Sequence, residues 1–177
     1  MSKIDYGTIV AGTDGSALAI PTIARAAWLA RHDDADLVIV CAYSELSRRV
    51  DAKNVATLGG DPRSGQVLGR AAANEALAAA VALARDEGAV VVAALLMEGE
   101  PDKALLATAE DRSADLIVLG AVADRTITDR LLGTVAEEVT KRARCDVLIV
   151  RPIGDPAADQ VVPEDGPEIV VAESAEE

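Results

Sequence analysis

The chain has no phenylalanine and only three aromatic side chains in 177 residues: Tyr6, Trp28 and Tyr43. Recognition of single-stranded nucleic acid by base stacking needs more than that, and recognition of any nucleic acid needs a basic face that neutralises phosphates. The formal net charge is −13, and no cluster of Lys and Arg stands out along the sequence. Nucleic acid is therefore excluded as an expected partner. Histidine is nearly absent too: His32 stands alone beside Asp33 and Asp34, reads as a solvated helix-end residue, and leaves no Ser-His-Asp or Cys-His set to assemble. The two cysteines, Cys41 and Cys145, lie in or beside apolar runs without metal-ligand spacing, which predicts reduced core thiols. No apolar run approaches the roughly 18 residues that cross a bilayer, and MSKIDYGTIV lacks the apolar stretch of a signal peptide. A soluble, cytoplasmic protein that neither spans nor binds a membrane is expected.

Apolar residues nevertheless make up 50% of the sequence, enough for one domain with a real core. They gather in five short runs: TIVAG (8–12), LVIVCAY (37–43), VVVAALL (90–96), LIVLG (116–120) and VLIVR (147–151). Continuous rather than alternating apolar character marks strands buried on both faces, hence a parallel sheet covered by helices. Ala-rich helical stretches separate the runs, at about 17–31, 70–87, 101–112 and 134–144. In the second of these, Leu77, Val81 and Ala84 share one face and Gly88 provides a stop. Trp28 is expected in the core side of the first helix. The pattern predicts an α/β domain, an open, doubly wound, five-stranded parallel sheet with helices on both faces.

Two regions break the alternation. Residues 44–69 include LGGDPRSG, a connection long enough to be either a lid or an inert excursion. From 153 to 177 the chain is rich in Pro, Asp and Glu: eight of the 30 acidic residues follow Arg151, and none of the 17 basic residues does. This tail is expected to be disordered, with EIVVA (168–172) its one apolar island, able to add a strand to a partner or to the parent sheet.

Ligands of open parallel sheets bind beyond the carboxyl ends of the strands, where strand order reverses. The first run delivers GTDGS there, with Thr13, Asp14 and Ser16; the second delivers Ala42 and Tyr43; the fourth delivers Gly120 and a loop closing on Gly133 and Thr134. Backbone N–H groups at the start of the helix that begins at Thr134 have no internal acceptors and attract anions, with the Thr134 hydroxyl as a further donor. A plain Thr cap after a tight turn is the competing reading. Arg125 and Arg130 in the loop are offset by Asp124 and Asp129, so the loop adds no net positive charge. Tyr43 is either a pocket aromatic or a strand-end residue packed beneath the 44–69 loop.

TIVAGTDGS, MEGEPDKALLATAEDRSADLIVLG and GAVADRTITDRLLGTVAEEVTKRARCDVLIVRP together resemble the universal stress protein family over residues 5–152. The resemblance implies strand order 3-2-1-4-5, a fold like that of the adenine nucleotide alpha hydrolases, and a domain over 1–152. The family signature is Gly, two residues, Gly, nine residues, Gly and Ser or Thr. Here Gly120, Ala123, Gly133 and Thr134 occupy those positions, with Ala123 in place of the second glycine.

Position by position, the resemblance implies that Asp14 faces the ribose or a nucleotide-borne Mg2+ and that Ala42 rests against adenine. Gly120 and Ala123 would line the ribose and phosphates, while Gly133, Thr134 and Val135 would hold phosphate. Thr13, Tyr43 and Arg130 complete the expected set. The implied ligands are ATP, with Mg2+, or cyclic AMP, and the uncharged loop penalises the triphosphate more. Three functions follow: a regulatory nucleotide-binding protein, a nucleotide-free dimeric interaction module in stress signalling, and a slow ATP-hydrolysing enzyme, the first being preferred and an enzyme not expected. Pairing of two copies through the last strand, Asp146–Val150, would cover an otherwise open hydrophobic edge.

Overall fold

The computed structural model describes residues 5–45, 67–121 and 132–151. The middle of the expected lid (46–66), the loop residues 122–131, which include Ala123 and Arg130, and the acidic tail from 152 onward lie outside them.

In chain order the elements are β1 (Thr8–Gly12), α1 (Ala19–Asp33), β2 (Asp36–Ser44), β3 (Val67–Leu68), α2 (Arg70–Asp86), β4 (Val91–Glu98), α3 (Pro101–Asp111), β5 (Leu116–Gly120), α4 (Thr134–Arg142) and β6 (Asp146–Val150). The strands run in the order β4-β2-β1-β5-β6, all parallel, which is the expected 3-2-1-4-5. The count differs by one: β3 is a sixth, two-residue strand paired with Tyr43 and Ser44. Its physical reason is the overhang of β2, whose pairing with β1 ends at Val40 opposite Gly12 while β2 itself continues to Ser44.

Burial on both faces explains the uninterrupted apolar runs. One core packs Ile9, Ala11, Leu37, Ile39, Cys41, Leu116 and Val118 beneath α1 and α2; the other packs Val10, Val38, Val40, Ala42, Ile117 and Leu119 against α3 and α4. Side chains alternate across the sheet along each strand, so one strand feeds both cores. Each fully buried Ile or Leu contributes about 1.5–3 kcal/mol. The helices present mainly alanine to the sheet, for example Ala26, Ala27 and Ala30 of α1 and Ala73, Ala80 and Ala84 of α2, which lets them sit close. Helix α2 ends as expected: Gly88 N–H donates to the Arg85 carbonyl at 2.9 Å and Ala89 N–H to that of Ala84 at 3.0 Å.

Two core expectations are corrected. Trp28 is 48% exposed and stacks on His32, with ring centroids 5.3 Å apart. At 100° per residue it falls opposite the face of α1 formed by Ile23, Ala26, Ala27 and Ala30, so it cannot reach the sheet. Cys145 is half-buried rather than a core thiol, because it precedes an edge strand. Cys41 is fully buried; burial first, and the Asp14 charge second, push its thiol up to about 11.

At the amino ends of the strands, the Asp115 carboxylate accepts the N–H groups of Gly7 at 2.8 Å and Thr8 at 2.9 Å. The Asp115 N–H donates in return to the Thr8 carbonyl at 2.9 Å, clamping β1 to β5. Asp115→Ala is expected to destabilise the fold by about 1–2 kcal/mol in urea denaturation, with Asp115→Asn losing less because it keeps one acceptor. A thiol reagent at pH 8 should label Cys145 in the native protein and reach Cys41 only on unfolding. Because the native Cys41 value lies above the unfolded one, its contribution to stability is present below about pH 9 and lost as pH rises toward about 11; Cys41→Ser should flatten that part of the stability profile.

Candidate functional site

Strand β1 sits where the strand order reverses, and the chain leaves its two flanks in opposite directions. Beyond β1 it turns to α1 on one face, while beyond β5 it leads to α4 on the other. The carboxyl ends of β1, β2 and β5 therefore part and leave a cleft of about 730 Å³, its open mouth included.

The β1–α1 turn forms one wall. Thr13 N–H donates to the Val40 carbonyl at 2.9 Å, extending the sheet by one residue, and Asp14 Oδ1 then accepts the Ser16 N–H at 2.9 Å. This Asx turn holds the Asp14 carboxylate at the cleft. Gly15 between them has φ +73°, and a Cβ there would lie 2.9 Å from Ala76 Cβ. Helix α1 starts later than expected, at Ala19, with Leu18 and Thr22 reaching the cleft. The Thr22 hydroxyl donates to the Leu18 carbonyl at 2.7 Å.

The opposite wall is the start of α4. Gly133 N–H donates to the Ala121 carbonyl at 2.8 Å, and the first intrahelical bond runs from Glu137 N–H to the Gly133 carbonyl at 2.9 Å. The N–H groups of Thr134, Val135 and Ala136 come before that first bond, have no acceptor in the helix, and line the cleft. Gly120 forms the floor. A Cβ on it would stand 2.9 Å from Leu18 Cδ2 and 3.3 Å from Thr22 Oγ1, so its hydrogen is what lets α1 close over β5. Val40, Ala42, Leu105 and Leu119 give the remaining surface an aliphatic character, and Pro101 brings the start of α3 to the rim.

Of the residues expected from sequence, Thr13, Asp14, Ala42, Gly120, Gly133, Thr134 and Val135 lie together on this cleft. Tyr43 does not. It follows Ala42 on β2 and so points to the other face, where it is 7% exposed and packs with Val67, Ala73 and Leu77. Leu18, Thr22, Pro101 and Leu105 were not anticipated; the helical spacing of 18 and 22 and the Pro at the first position of α3 were their sequence signals. Asp14 is the one ionisable side chain among the described lining residues, and no Lys or Arg is among them. No group of three or more His, Cys, Asp or Glu side chains that could hold a metal occurs among the described residues. Among the described lining residues, an incoming metal would find a single carboxylate.

Gly15→Ala should cost about 1–2 kcal/mol, since it forces an L side chain into the left-handed region against Ala76. Gly120→Ala should cost less, because the terminal methyl of Leu18 can move, but it moves into the cleft; thermal denaturation separates the two.

Residues 5–151 match the Universal stress protein family. A universal stress protein of Mycobacterium tuberculosis is 41% identical over 145 residues, covering 82% of this chain and 96% of that protein. One of Methanocaldococcus jannaschii is 30% identical over 151 residues, 82% of each. A universal stress protein crystallised in complex with cAMP superposes with a TM-score of 0.62 and 32% identity, over 83% of this chain and 98% of its own. The match runs from the strand β1 turn to the end of β6 and takes in both walls of the cleft, and the chain belongs to the universal stress protein family.

Proposed function

We propose that the protein is a cytoplasmic regulator that binds one adenine nucleotide in the cleft between the β1–α1 turn and the start of α4. The observation that carries this reading is the pairing of three N–H groups that precede the first intrahelical bond of α4, at Thr134, Val135 and Ala136, with an aliphatic wall at Ala42 and Val40. The first attracts a phosphate; the second accepts a flat heterocycle without aromatic stacking. Thr13 and Asp14 face the ribose, and Gly120 lets the sugar approach the floor. Ala123, at the second glycine position of the family signature, would line the ribose and phosphate side, and Arg130 would belong to the same site.

Between ATP and cyclic AMP, the absence of Lys and Arg among the described lining residues favours the singly charged ligand. Against the described lining residues, a triphosphate would bring several negative charges toward Asp14 with the helix dipole to offset them, and Arg130 is itself offset by Asp129. The relative solved with cAMP supports the same choice. ATP would need Mg2+ to bind well, and Asp14 would be its protein ligand. One carboxylate and a helix start bind and orient a nucleotide; without a second acid or base beside them they do not make an efficient hydrolase. Signalling would then pass through the surfaces of a homodimer paired along β6.

Mass spectrometry of small molecules released from the purified protein, followed by calorimetric titration at matched salt, tests the reading. Cyclic AMP should bind more tightly than ATP without Mg2+. Thr134→Val, which keeps the shape and removes the hydroxyl, should weaken binding by about tenfold. No heat with either nucleotide at millimolar concentration would reject the nucleotide reading and leave the fold acting through its surfaces.

A further inference from the structure

Strand β6 has the composition of an interior strand and the position of an edge strand. Among the described residues it pairs with β5 alone, in unbroken register from Asp146 to Val150. Leu148 and Val150 pack against one core and Val147 and Ile149 against the other, yet all four remain half-buried, whereas Ile117, Val118 and Leu119, opposite the first three, are buried. The other edge is different. Strand β4 carries an irregularity, since Leu37 and Val38 of β2 pair with Val91 and Ala93 and leave Val92 as an extra residue, 47% exposed. An extra residue of that kind interrupts pairing at the start of β4, although its register is regular from Ala93 to Glu98. The edge that is regular over its whole length is that of β6.

We propose that Glu168–Ala172 of this chain lies antiparallel along the outer edge of β6 in the monomer, and that two copies pair there when it leaves. The regulatory half of this inference rests on the β6 dimer proposed above; the tail pairing stands without it. Segment and strand match in length, five residues each, and Ile169, Val170 and Val171 are all β-branched. Residues 152–167 connect them, a tether that reaches about 50 Å when extended, far beyond the roughly 4.8 Å to the next strand position.

Charge selects the antiparallel direction. It carries Glu173, Glu176 and Glu177 past Asp146 toward the surface that bears Lys141, Arg142 and Arg144, whose side chains are 58%, 53% and 89% exposed. The exposed pairs that Lys141 and Arg144 make with Glu137 and Glu110 contribute little and exchange readily, while Arg142 pairs at 3.7 Å with the half-buried Asp102. A tether of this length holds the tail at an effective concentration of about millimolar, so a second copy in micromolar solution competes at a disadvantage.

The test uses the full chain and a Val170→Pro, Val171→Pro variant. Successive N–H groups of a strand point to opposite sides, so replacing both removes whichever faces β6. A Val170→Ile, Val171→Ile variant keeps both donors and should behave as the parent. Amide hydrogen exchange at Val147–Val150 is measured at a concentration where sedimentation reports monomer. Faster exchange in the proline variant, together with dimerisation tightened several-fold, supports the inference. Faster exchange without dimerisation of either chain upholds the tail pairing and rejects the dimer. Unchanged exchange, dimerisation weakened by the prolines, or a parent chain that is dimeric at every concentration overturns it.

Discussion

The double pairing of β1 is the constraint on which the rest of the molecule depends. With β2 on one side and β5 on the other, both in parallel, β1 has no edge and no solvent-facing side, and Ile9, Val10 and Ala11 are wholly buried. Parallel strands need crossover connections, and covering both faces requires the crossovers to divide. Helices α1 and α2 take the face over β1, β2 and β4, while α3 and α4 take the other. The chain therefore leaves β1 and β5 in opposite directions, and the cleft between them is a topological consequence of how the core is covered. Asp115 secures the same pair of strands at the far end, where its carboxylate and backbone both bond to the start of β1.

What the cleft can bind follows from the sizes and dipoles of its walls. Alanine, valine and glycine bring backbone close to any occupant, and the hydroxyls of Thr13, Ser16 and Thr134 add neutral donors. Among the described lining residues, attraction for an anion comes from the first turn of α4 rather than from a charged side chain. Such a field falls off within about a turn and amounts to roughly half a charge. Under the proposed nucleotide reading, such a field would suit one phosphate better than a chain of them. Among the described lining residues Asp14 is the one carboxylate, so it would both repel added phosphates and serve a metal.

The two sheet edges have been handled by different means. Strand β4 carries an extra residue, Val92, near its start, where its ladder with β2 is interrupted before running in regular register from Ala93 to Glu98. Strand β6 keeps its regular ladder and its apolar faces. An edge of this kind is left in a stable soluble fold when something pairs with it, whether another copy or a segment of the same chain, and the acidic charge that follows it would hold back nonspecific association.

Much of this protein was legible in the sequence because it depends on periodicity and chemistry that are local. Uninterrupted apolar runs announced strands buried on both faces, alanine-rich stretches announced the helices, and Asp14, Gly120, Gly133 and Thr134 could be named because turns and helix starts demand those residue types. The strand order came from resemblance to a family, since no local pattern encodes which strand lies beside which. Tertiary structure alone decided three matters. Trp28 faces water because α1 turns its alanine side to the sheet; Tyr43 leaves the cleft because its neighbour Ala42 takes the inward face; and β3 exists because β2 outruns β1. Each turns on the direction of a side chain or the reach of a strand relative to another element, and a single sequence carries no measure of either.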